Sequence, residues 1–195
     1  LALAGIGQSM AVPLTVGTQV EVGDAAGNVF TPSPVMGDSN GLYTGVTFML
    51  MQGWTSRTVS ASAGVFVLDQ RPNSGGAWDQ FLSLCLEPDV PLMLFPNPYQ
   101  VNTLASAGYL QTNNPIGELW GRYRSNVTND TSAAAFQVAL WELAYGTTDR
   151  NLGTGAFRLV NDSHNMVFEA AQGWLTSLDG TGPQASGLMV LVNNP

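Results

Sequence analysis

Residues 131–145, reading TSAAAFQVALWELAY, constrain the fold more than any other stretch of the chain. Alanine and leucine give the stretch high helix propensity. Asp130, Thr131 and Ser132 each offer a side-chain oxygen to cap its first turn, and Gly146 can end it. With residues set about 100° apart, Ala139, Leu143, Phe136, Leu140, Ala144 and Trp141 form one apolar arc that would meet a core. Gln137 falls inside that arc, beside Ala144 and Trp141. A carboxamide carried into a core costs about 1–3 kcal/mol if nothing bonds to it. Either a loop satisfies it, as for an ordinary core glutamine, or a second reactive group meets it.

The second group has one candidate, Cys85, the single cysteine of the chain. One thiol allows no internal disulfide and no cysteine-based metal site, so neither metal nor cofactor is expected. With 45% hydrophobic and 10% charged residues, the 195-residue chain is a folded one that can build a sizeable core. Gly 22 and Pro 11 favour many short strands joined by turns. The net charge of -8 argues against nucleic acid or an anionic membrane as partner. All six basic residues are arginine, and lysine is absent. No apolar run approaches the roughly 18 residues that span a bilayer. LALA at residues 1–4 resembles the small-residue end of a removed export leader.

In chain order, a strand is expected over 12–22, a loop over 28–41, and two strands over 42–54 and 57–70 able to pair antiparallel. Residues 78–87 alternate, with Leu82, Leu84 and Leu86 facing one way and Phe81, Ser83 and Cys85 the other, until Pro88 stops the strand. The proline-rich 91–114 region reads as irregular, with a short helix around 101–108. Pro115 opens a helix in which Ile116, Leu119, Trp120 and Tyr123 share a face. After the Gln137 helix come a loop over 146–155 and a short strand over 156–160. Asn161, Asp162 and Ser163 are capping candidates for a helix over 166–178, and a strand over 188–192 returns to the first sheet. The expected fold is α+β, a β-rich sandwich or barrel body carrying an inserted three-helix subdomain. No repeat or linker divides the chain, so 1–195 reads as one domain, with the β-rich body at about 12–90 and 185–195 and the helical part at about 100–180.

A cysteine at a strand end and a glutamine in a buried helical stripe invite one reaction. The sulfur attacks the carboxamide carbon, ammonia leaves, and a thioester results. The reaction needs a locally activated thiol, polarisation of the amide oxygen and exclusion of water. Trp141, Tyr145 and Trp120 are candidates to keep water out.

The run Phe136-Gln137-Val138-Ala139-Leu140-Trp141 resembles the Gln motif of bacterial thioester domains, and Leu84-Cys85-Leu86-Glu87 resembles their apolar-Cys-apolar-acid motif. AAFQVALWELAYG, the later GAFRL and the Gly173-Trp174-Leu175 helix extend the likeness to Cys-Gln thioester surface proteins. Glu87 stands where that family usually has Asp or Asn, and Phe136 where many members have Thr. The resemblance implies an extracellular domain, anchored to the cell through a region outside this sequence, whose Cys85–Gln137 thioester acts as a covalent adhesin. An amine on a target protein or surface would take the acyl group of Gln137 as a stable amide and release Cys85. Glu87 would assist. Such a protein is not a recycling enzyme, because bond formation is autocatalytic and acyl transfer consumes the glutamine. It would act as a monomer, and the absence of lysine would spare the bond from the chain's own amines.

Two alternatives stand beside this reading. In one, the chain is a surface or biofilm-matrix module that binds noncovalently, its cross-link structural or absent. In the other, Cys85 is a hydrolase nucleophile served by His164, the only histidine.

Overall fold

The computed structural model describes residues 2–6, 14–23, 41–90, 97–145, 149–161 and 165–193. Eight strands lie along them: β1 (Ala2–Ile6), β2 (Gln19–Gly23), β3 (Gly41–Gln52), β4 (Thr55–Pro72), β5 (Asp79–Cys85), β6 (Asn97–Thr103), β7 (Phe157–Asn161) and β8 (Met189–Asn193). The helices are α1 (Pro115–Tyr123), α2 (Asp130–Tyr145) and α3 (Asn165–Ser177), with a 3-10 turn at Arg124–Asn126. The fold is α+β, a strand-rich body with three helices inserted in sequence between β6 and β8, as expected. Contacts gather the chain into two units. One holds Leu1–Gly41, Phe66–Leu110 and Gly187–Pro195; the other holds Leu42–Val65 and Gln111–Ser186. Strand β4 contributes to each, with residues 55–65 in the second unit and 66–72 in the first.

The first unit is a closed antiparallel ring. Its strands follow the order β2-β6-β8-β1-β5-β4, and β2 also bonds to β4, so the ring closes. Register identifies the face that points inward. Phe66 is opposite Ser83 and Leu68 opposite Phe81. Val22 is opposite Gln70, Val20 opposite Tyr99, and Val101 opposite Leu191. All of these residues are buried. Because side chains alternate along a strand, one set fills the barrel and its neighbours point out.

Residues 2–4 of the LALA run, compared above with the end of an export leader, lie in β1, between β5 and β8, and Leu1 lies outside the described residues. The strand expected over 12–22 starts only at Gln19, because 14–18 turns back on itself through the Thr18 N–H to Thr15 O bond of 3.1 Å. The 91–114 region is corrected more strongly. Residues 97–103 are strand β6, and residues 104–108 are turn, not helix. Pro98 sits at the second position of β6, where a missing donor is tolerated. The Thr103 and Ser106 hydroxyls then accept from each other's backbone N–H at 3.0 Å, which reverses the chain before a helix can start.

In the second unit, β3 and β4 are neighbours joined at Gly53 and Trp54, as the sequence led us to expect. Gly53 has φ 61°, the conformation a two-residue hairpin loop requires at its first position. Trp54 is fully exposed at the tip. The other edge of β3 pairs with β7, Leu50 opposite Phe157.

Helix α2 departs from the expected one-sided pattern. Every residue from Ala133 to Leu143 is buried, so the helix is enclosed on all sides. Its cap also lies one residue earlier than expected. Asn129 Oδ1 accepts from the Ser132 N–H at 2.9 Å, and Ser132 Oγ accepts from the Asn129 N–H at 3.1 Å, a reciprocal capping pair. Aromatic rings bind the helices together. Phe136 meets Trp120 edge-on at 5.5 Å, and Tyr123 stacks on Trp174 at 5.2 Å.

Helix α1 carries Glu118, fully buried. Its carboxylate accepts from the Gly180 N–H at 2.8 Å and the Gly182 N–H at 3.0 Å and pairs with Arg122 at 2.7 Å. This latch holds the segment after α3, and Gly182 has no room for a Cβ against Arg122. Asn161, expected as a cap for α3, ends β7 instead. The other two capping candidates, Asp162 and Ser163, lie outside the described residues, as do His164, Gly146 and the loop at 28–40.

Candidate functional site

Strand alternation decides where Cys85 points. By alternation it shares the face of Phe81 and Ser83 on β5, with register partners Leu3, Leu191 and Val101 in turn round the ring, but it is half-buried where Leu84 and Leu86 are fully buried. The thiol donates to the Glu87 carbonyl at 3.1 Å. Glu87 is half-buried, and one of its carboxylate oxygens accepts from the Tyr109 hydroxyl at 3.4 Å. Burial pushes the Cys85 thiol up to about 12, with the negative charges of Glu87 and Asp89 adding to the rise and the Glu87 backbone bond opposing it. A hydrolase nucleophile needs the opposite shift, so this environment speaks against the hydrolase alternative.

Tyr99, which the sequence reading passed over, belongs to the same lining. It is fully buried, and its hydroxyl has no hydrogen-bond partner among the described residues. Burial first, and then the charge of an ionised Cys85, raise it to about 12. The prolines around it hid the Tyr99–Val101 alternation that would have marked it as a strand residue facing inward.

Gln137, Trp141 and Tyr145 recur one turn apart on α2 and share one stripe. Gln137 is fully buried and Tyr145 half-buried. Trp141 is enclosed by Phe48 at 5.2 Å and Phe157 at 6.1 Å, from β3 and β7, and its indole N–H is unbonded. Trp120 is buried too, against Phe136. The expected shielding residues Trp141 and Trp120 are therefore in the dry core of the second unit. Cys85 and Glu87 lie in the first unit, and Gln137, Trp141 and Tyr145 in the second.

Glu142 was also overlooked. It is 1% exposed, and neither carboxylate oxygen has a well-formed hydrogen bond. Burial, aided by the charge of Asp149, raises it to about 8, and the nearby Asn151 N–H pulls weakly the other way. Helical periodicity could not reveal it, because an arc drawn on apolar residues assigns a glutamate to solvent.

Among the described residues no cluster of three or more potential ligands could hold a metal ion, and no helix is long and apolar enough to cross a membrane. The chain matches no family model, and neither a curated protein nor a solved structure is significantly similar to it.

Proposed function

We propose that this chain is a covalent adhesin domain. The Cys85 sulfur and the Gln137 carboxamide carbon condense with loss of ammonia, and the resulting thioester is opened once by an amine on a target protein or surface. The observation that carries the reading is Gln137, a primary carboxamide with no solvent exposure in the middle of an enclosed helix. Water would hydrolyse a thioester, and the surroundings of Gln137 exclude it. Display outside the cell and tethering through sequence beyond this chain belong to the proposal.

Intact mass tests it. The wild-type protein should weigh one ammonia less than its sequence, and Cys85→Ala or Gln137→Ala should restore the difference after allowing for the substitution. Methylamine should then add to Gln137 in the wild type alone. Full sequence mass in freshly prepared protein would end the proposal.

Trp54 favours a second reading, a noncovalent binding module. A fully exposed indole at a hairpin tip is the kind of group that stacks on glycan or protein. Under that reading the mass is that of the sequence and Trp54→Ala abolishes surface binding.

A further inference from the structure

The helical unit leaves one strand edge open. Strand β5 pairs with β4 only from Phe66 to Gln70, and β2 only from Asp69 to Pro72. Among the described residues, the 56–62 stretch of β4 therefore has β3 on one side and no strand on the other. Ser56, Arg57, Thr58 and Ser60 are exposed, as befits a strand open to water on both faces. At the opposite side of the same three strands, the Leu159 N–H of β7 is already held by the Leu152 carbonyl at 2.9 Å.

The hairpin fixes which backbone groups point outward. A two-residue loop at Gly53 and Trp54 sets 52 opposite 55 as a hydrogen-bonded pair, which brings 47 opposite 60, and the Thr47 and Ser60 hydroxyls do meet at 3.1 Å. Bonded and non-bonded pairs alternate. Arg57, Val59 and Ala61 therefore bond to β3, while Ser56, Thr58, Ser60 and Ser62 turn their N–H and C=O groups to the open edge. Their hydroxyls form a row on one face, about 7 Å apart.

We propose that this edge pairs with the same edge of a second copy, antiparallel about a two-fold axis at Val59. The side chains fit that register. Ser56 meets Ser62 and Thr58 meets Ser60, hydroxyl to hydroxyl, and Val59 meets its own copy. Arg57, the one charged residue of the stretch, meets Ala61. The two arginines stand about 14 Å apart along the strands, beyond the screening length in physiological salt. No proline, lysine or acidic residue stands in 55–68 to protect the edge. Strands β4, β3 and β7 become half of a six-stranded sheet shared by two molecules, and a dimer replaces the monomer that the family resemblance implies. The pairing does not depend on the thioester.

Sedimentation velocity across a concentration series tests it. The two edges make a small interface, so the wild type should pass from monomer to dimer in the micromolar to millimolar range. Val59→Lys sets two ammonium groups against each other at the axis and should weaken association at least about 10-fold. Thr58→Pro removes a donor that faces outward, leaves the bonds to β3 in place and should do the same. Both variants should keep the wild-type circular dichroism, and if the proline variant misfolds the lysine variant decides. Val59→Cys checks the register, because a non-bonded pair holds its Cα atoms about 4.5 Å apart, within disulfide reach. Oxidation should join two copies through residue 59, mapped by peptide mass, whereas Ser56→Cys should not join to itself. A wild type that stays monomeric at about 1 mM overturns the proposal and leaves the edge to a strand of another protein. A dimer that both variants leave intact, or that residue 59 fails to cross-link, overturns it as well.

Discussion

The barrel unit and the helical unit bury polar groups in opposite ways. In the barrel, alternation selects them. A residue faces inward because its strand neighbours at two-residue spacing do, and Ser83 and Tyr99 are interior by position. In the helical unit enclosure selects them, since α2 is buried all round and whatever the helix carries is taken in, Gln137 and Glu142 alike. Two glutamates of the helical unit sharpen the contrast. Glu118 has each carboxylate oxygen occupied by a backbone N–H and shares Arg122, while neither oxygen of Glu142 is held by a well-formed bond. Burial alone therefore does not mark a group for function. A buried polar group whose bonds are complete holds structure together, and one whose bonds are open is held ready or titrates.

The largest expected effect comes from removing the proposed bond between a barrel residue and a helix residue. Cys85→Ala and Gln137→Ala should each remove all methylamine adduct. Each should also lower stability by up to about 4 kcal/mol, the chain-entropy value for closing a loop of about 50 residues, read as a drop in denaturant midpoint. Next comes the completed carboxylate. Glu118→Ala leaves the Gly180 and Gly182 N–H groups and part of Arg122 unpaired, and should cost about 3 kcal/mol in chemical denaturation, with the segment after α3 exchanging its amide hydrogens first.

The open carboxylate predicts the reverse sign. Glu142 holds its proton in the fold up to about 8, whereas in the unfolded chain it ionises near its ordinary 4.5. Its contribution is whole below pH 4.5 and drains away as pH climbs to 8. Glu142→Gln should flatten that fall and stabilise the protein at pH 8 by on the order of 2 kcal/mol, with little change at pH 4, as thermal melts across that range would show. A wild-type stability that does not decline between pH 5 and 8 would contradict the burial of this group. The smallest effect belongs to Trp54→Ala, which should move the melting midpoint by an amount equivalent to less than about 0.5 kcal/mol, because a fully exposed ring gains nothing from folding.

Much of the fold was written in short-range pattern. The 42–54 and 57–70 strands, the Pro115 helix, the Gln137 helix and the amphipathic α3 all emerged where propensity and periodicity agreed. The misses have a common cause, which is long-range pairing. β6 reads as loop because of Pro98 and becomes a strand only through β2 and β8 on either side. β1 has no periodicity to announce it and exists because β5 and β8 leave a place between them. The same holds for the site. Cys85 and Gln137 drew notice as residue types in particular patterns. Tyr99 and Glu142 could be noticed only once neighbours distant in sequence had removed their water.

Closure of the ring carries a consequence for a protein held at high local concentration. A sheet that ends somewhere offers its last strand to any neighbour with backbone groups to spare, and that is how crowded copies stick irreversibly to one another. In the first unit β2 bonds to β4 as well as to β6, so among the described residues each of the six strands already has two partners and none is left as a template. Among its described residues this unit therefore offers no open strand edge, and a newcomer must engage it through side chains and not by extending the sheet.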